Sequence, residues 1–88
     1  DGLQRVLAEM ISVKFFASVR ERLGQASIDL ELQAGSTVAE VLAQVEGIAG
    51  VSLAGQHLLA ARNQVHVPFT ESVADGDEIA FFPPVTGG

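Results

Sequence analysis

The chain has 88 residues, 48% of them hydrophobic and 18% charged, with a formal net charge of −6. That describes one globular domain near the lower size limit for an unaided core, not a disordered chain. Cysteine is absent and the five Lys and Arg residues form no cluster, which excludes disulfides, thiolate chemistry and cysteine-held metal, and argues against nucleic acid as a partner.

No apolar run approaches the roughly 18 residues of a membrane span, and no charged-then-apolar leader opens the chain. The expectation is a soluble, cytoplasmic protein without a membrane partner. A basic docking face on a partner protein suits the acidic balance. His57 and His66 have no carboxylates at metal-ligand spacing and read as ordinary surface or core-edge histidines, so no metal site is expected.

Asp1 to Glu9 shows only weak helical spacing, at Leu3, Val6 and Leu7. Met10 reads as the natural start and residues 1–9 as an upstream extension or expression remnant. "MISVKFFA" alternates, with Ile11, Val13 and Phe15 on one face and Ser12, Lys14 and Phe16 on the other, which predicts a first strand. "SVRERLG" predicts about one helical turn stopped by Gly24. "ASIDLEL" alternates again, grouping Ile28, Leu30 and Leu32, and pairs naturally back onto the first strand.

Thr37 and Glu40 form a T-x-x-E capping box. Val38, Val41, Leu42 and Val45 follow as one apolar stripe, and Gly47 and Gly50 are expected to end that helix. "HLLAARN" and "QVHV" predict two short strands about an Asn63-Gln64 turn, "ADGD" a tight turn, and "EIAFF" the last strand. One helix covering one face of a mixed sheet is an α+β arrangement of the ubiquitin-like β-grasp kind, with the first and last strands parallel at the centre. The domain is expected over residues 10–82, with an extended tail over 83–88.

In "EIAFF", Ile79 and Phe81 share a face and Phe82 points the other way, in phase with Phe16. Two outward aromatics predict an exposed docking patch; the plainer alternative is that one of them tucks against residues 1–9 or a loop. Pro83 and Pro84 end the strand, because neither donates a ladder bond, and favour extended geometry beyond it. Val85 and Thr86 can grip a groove, and Gly87 and Gly88 carry no β-carbon to clash in a narrow channel. A rigid apolar stem with a slim tip suggests a carboxylate delivered into another protein's active site. A terminal Gly-Gly alone is weak evidence, since frayed termini are common.

"VKFFASVRERLG", "GSTVAEVLAQV" and above all "VADGDEIAFFPPVTGG" resemble the family of molybdopterin synthase small subunits over about Met10 to Gly88. The resemblance implies a sulfur carrier that is not catalytic alone. A ubiquitin-activating-like adenylating enzyme would use ATP to convert the carboxylate of Gly88 to an acyl-adenylate. A sulfur donor protein would turn that into a thiocarboxylate. The large subunit of molybdopterin synthase would receive the tail, in an assembly of two small and two large subunits, and pass the sulfur to a pterin precursor. The chain itself would bind no cofactor. Gly88 maps to the modified terminus; Gly87, Thr86, Val85, Pro84 and Pro83 map to the entering tail; Phe82 matches the family's stem and, with Phe16 and Arg20, would face the partner. Arg20 and Glu21 also match the family pattern, although a surface ion pair worth under about 1 kcal/mol explains them equally well.

The chemistry agrees with this reading. A carboxylate is a poor electrophile until adenylation supplies a leaving group, and the sequence offers no nucleophile–base pair or phosphate-cradling glycine loop. Two alternatives stay open: a sulfur carrier for thiazole or RNA thiolation, and a ubiquitin-like protein modifier or non-covalent module. Lys14 is the only lysine and lies within a predicted strand, which disfavours branched chains.

Overall fold

Alternation over residues 11–15 extends the backbone because every second side chain can then share one apolar face. The computed structural model describes residues 8–33, 35–53 and 57–84. They form β1 (Ala8–Phe15), α1 (Ala17–Leu23), β2 (Ser27–Gln33), α2 (Val38–Ala49), β3 (Leu59–Arg62), β4 (Val65–Val67) and β5 (Glu78–Phe82). β1 starts two residues ahead of Met10, since Ala8 and Glu9 find ladder partners in Gln33 and Leu32 of β2.

The sheet order is β2-β1-β5-β3-β4. β1 runs antiparallel to β2 and parallel to β5, and β3 runs antiparallel to both β5 and β4. This is the β-grasp roll expected from the sequence. Asn63 and Gln64 close the β3–β4 hairpin with φ of 51° and 72°, the paired left-handed conformation that a two-residue hairpin turn requires.

The core lies on one face of the sheet. Ile11, Val13 and Phe15 of β1, Leu30 and Leu32 of β2, and Ile79 and Phe81 of β5 are buried there beneath Val38, Val41 and Val45 of α2. Val19, Leu53 and Val73 join the same cluster.

Both helices differ from expectation in extent. α1 runs seven residues, nearly two turns, before Gly24 caps it in the left-handed region. α2 passes through Gly47 and stops at Gly50, which has φ 70° and donates its N–H to the Glu46 carbonyl. A mid-helix glycine weakens a helix without stopping it; the burial of Val45 two residues earlier holds this one together.

At the start of α2, Thr37 Oγ1 accepts from the Glu40 N–H (3.4 Å) and Glu40 Oε1 accepts from the Thr37 N–H (2.8 Å). The Val38 and Ala39 N–H groups donate to the Glu71 and Phe69 carbonyls. The N–H groups of the first turn are thus matched, half by the capping box and half by a loop far away in sequence.

Candidate docking face and tail root

Among the described residues, no helix covers the sheet face opposite α2. Pairing register sets its membership: Phe82 lies opposite Leu59, Ala80 opposite Ala61, and Ala61 opposite His66. Lys14 and Ser12 extend the face onto β1, beside Ala80 and Glu78, and Asp29 and Ser27 carry it onto β2. The face is therefore apolar around Phe82 and increasingly charged toward β2.

Phe82 is half-buried, and its ring stacks on His66 with centroids 5.4 Å apart and planes 18° from parallel. Phe16 reaches the same end of the sheet. Its N–H donates to the Phe81 carbonyl at 3.3 Å, extending the β1–β5 ladder by one bond, and its own carbonyl accepts from Val19 and Arg20 at the head of α1. Phe16 is 48% exposed, and the next residue, Ala17, has φ 53°, a conformation that costs a non-glycine residue roughly 1–2 kcal/mol. The fold thus brings Phe16 and Phe82 to one end of β1 and β5, as their shared phase implied, but among the described residues the ring partner of Phe82 is His66.

Arg20 is exposed on α1. The suggested pairing with Glu21 is replaced by a different arrangement: among the described residues the ion pairs are those of Arg62 with Asp77 and with Glu71. Adjacent helix positions point away from each other, which explains the difference. Pro83 and Pro84 follow Phe82 and are half-buried. Val85, Thr86, Gly87 and Gly88, the expected tail tip, lie outside the described residues, as do residues 1–7 of the segment 1–9 against which one aromatic was alternatively expected to tuck.

Strong electrostatics sit at the other end of β5. Asp77 is 7% exposed and accepts from Arg62 Nε (2.6 Å), Asn63 Nδ2 (2.9 Å) and the Ala74 N–H (2.7 Å). Burial alone pushes its carboxyl up, but the bonds from Asn63 and Ala74 and the Arg62 guanidinium together outweigh that and hold it below the usual range. These are contacts of a structural latch, remote from the tail. Among the described residues no group of His, Asp and Glu has metal-holding geometry, and no helix is long and apolar enough to cross a membrane.

Sequence reasoning missed His66, Leu59 and Ala61 as members of this face. The two-residue turn at Asn63-Gln64 does place His66 opposite Ala61. Only the long-range pairing of β3 with β5, however, brings both beside Phe82.

A small β-grasp domain whose last strand runs through an aromatic end into two prolines defines the ubiquitin-like class of fold. Residues 13–88 match the ThiS family, and the chain belongs to it. It is 46% identical over 81 residues to the molybdopterin synthase sulfur carrier subunit of Haemophilus influenzae, covering 90% of this chain and 100% of that protein. The crystal structure of small archaeal modifier protein 1 from Haloferax volcanii superposes with a TM-score of 0.76 at 27% identity, over 88% of this chain and 99% of that one. A complex of subunits 1 and 2 of molybdopterin-converting factor from Helicobacter pylori contains a chain matching with a TM-score of 0.55 at 26% identity, over 90% of this chain and 99% of that one.

Proposed function

We propose that this chain is the sulfur carrier subunit of a molybdopterin synthase and has no catalytic role alone. The observation that carries this reading is the 46% identity across the whole of a molybdopterin synthase sulfur carrier subunit. The geometry gives it physical sense, because the chain leaves the sheet at Phe82 through Pro83 and Pro84 beside a face on which no described helix packs.

An oxygen of the Gly88 carboxylate attacks the α-phosphorus of ATP on a ubiquitin-activating-like enzyme, and pyrophosphate leaves. Sulfur from a donor protein then displaces AMP, giving a thiocarboxylate at Gly88. The ATP belongs to the activating enzyme, and this chain needs no bound cofactor. The large subunit of molybdopterin synthase receives Pro83, Pro84, Val85, Thr86 and Gly87 in its pocket, and the sulfur passes to a pterin precursor there. Glycine at 87 and 88 keeps the tip narrow enough to enter. Phe82, Phe16 and Arg20 form the docking patch, in an assembly with two copies of each subunit working in the cytoplasm. The complex of the two Helicobacter pylori converting-factor subunits supports the large subunit as partner.

Tandem mass spectrometry of the C-terminal peptide tests the reading after incubation with the host's activating enzyme, ATP and a sulfur source. Replacing oxygen by sulfur adds about 16 Da, close to the oxidation of Met10, so the fragment ions must place the gain at Gly88. A gain there is the expected result. An unmodified Gly88 beside a known carrier converted in parallel would discard the carrier reading in favour of a modifier or a non-covalent module.

A further inference from the structure

The ring of His66 is the one aromatic contact of Phe82 among the described residues, and the sheet register makes that contact unusual. Neighbouring strands are about 4.8 Å apart, so β4 and β5, with β3 between them, are separated by roughly twice that distance. Ring centroids 5.4 Å apart therefore require both side chains to lean over β3. On this face of β3 stand Leu59, opposite Phe82, and Ala61, directly opposite His66 and, through its other edge, opposite Ala80. Two methyl side chains leave the room in which the rings meet. Ala61 is only 8% exposed although no described helix covers its face, as expected of a methyl group beside the stacked rings.

Phe82 has reason to need this second hold. It is the last residue of β5, and its ladder partner on the β3 side is Leu59. On the β1 side the register ends at Phe15 and Phe81, with one further bond from the Phe16 N–H to the Phe81 carbonyl. Pro83 follows and brings no N–H to continue either ladder. The stem thus departs from the last residue that either ladder reaches, and beyond it only side-chain contacts can fix its direction. A near-parallel ring pair restrains the side chain of that residue.

We propose that His66 is a positioning residue for tail delivery: by stacking on Phe82 beside Ala61, it sets the direction in which Pro83 and Pro84 leave the sheet and presents the pair as one surface to the large subunit. The inference rests on the sulfur-carrier reading for its partner, but the stack itself belongs to the free protein. His66 is exposed, so its replacement spares the core.

The test compares His66→Ala and His66→Phe with the parent chain. In the free protein, Cα–Hα residual dipolar couplings of Pro83 and Pro84 report the direction of the stem. Titration against the large subunit of molybdopterin synthase reports docking. The alanine variant is expected to shift the couplings and to weaken docking about two- to tenfold, the range of one aromatic pair, while lowering the melting temperature by no more than several degrees. The phenylalanine variant is expected to restore both. Couplings or affinity left at the parent value by His66→Ala would overturn the proposal. So would a loss that His66→Phe fails to restore, which would mean a direct imidazole contact. A parent chain that does not bind the large subunit at all would instead sink the carrier reading, and the couplings alone would then decide whether His66 sets the stem.

Discussion

Asp77 accepts three hydrogen bonds, and its neighbours join two separate pieces of the chain. Arg62 ends β3, Asn63 begins the hairpin turn and Ala74 opens the loop before β5. Asn63 also accepts the Glu78 N–H and donates its own N–H to the Glu78 carbonyl, so the turn and the start of β5 are clamped together. Removing the charge by Asp77→Asn is expected to cost about 1–3 kcal/mol at pH 7, read by urea unfolding, because buried donors lose a charged acceptor. The folded-state value of Asp77 lies below its ordinary 3.8. Its contribution is therefore complete above that pH and is lost as pH falls through the lower folded value. The stability gap between the parent and Asp77→Asn should narrow on going from pH 7 to below pH 3.8; a gap independent of pH would mean that the carboxylate's charge is not what matters.

Among the elements, α2 shows how local signals and distant contacts divide the work. The capping box is purely local, and Thr37→Ala is expected to destabilise the protein by about 1 kcal/mol in thermal or urea melts. Gly47 is the opposite case. It lies inside the helix, and a β-carbon built there meets nothing within 4 Å. Gly47→Ala should stabilise by about 0.5–1 kcal/mol, since alanine loses less backbone freedom on folding. Unchanged or lower stability in that variant would point to contacts of the Gly47 face beyond the described residues. Reading Gly47 as a stop signal failed because glycine ends a helix through a left-handed conformation, and the residue that adopts it is Gly50, with φ 70°.

For the molecule as a whole, a net charge of −6 and the proposed docking face, apolar around Phe82 and charged toward Glu78, Lys14 and Asp29, suit one kind of encounter. Charge attracts the partner over nanometres and the aromatic end holds it on contact. Raising NaCl from about 50 to 500 mM should slow association with the large subunit by on the order of tenfold while changing dissociation little, since screening acts on the approach. Stopped-flow association measured across that range checks it, and an association rate insensitive to salt would remove the electrostatic part of the argument.

The alternation of β1, β2 and β5, the capping box, the Asn63-Gln64 turn and the terminal "FFPPVTGG" were legible directly, because each depends on residues within a few positions of one another. From them follow the strand-rich roll, the buried face and the family. The partners of those elements are a different matter. That loop carbonyls from Phe69 and Glu71 complete the cap of α2, that Asp77 binds Arg62, and that His66 rather than Phe16 covers Phe82 all depend on which strands lie side by side. Hydrophobic period specifies which way a side chain faces, not what it meets there. Only the closing of the sheet, with β5 inserted between β1 and β3, decided the neighbours at the root of the tail.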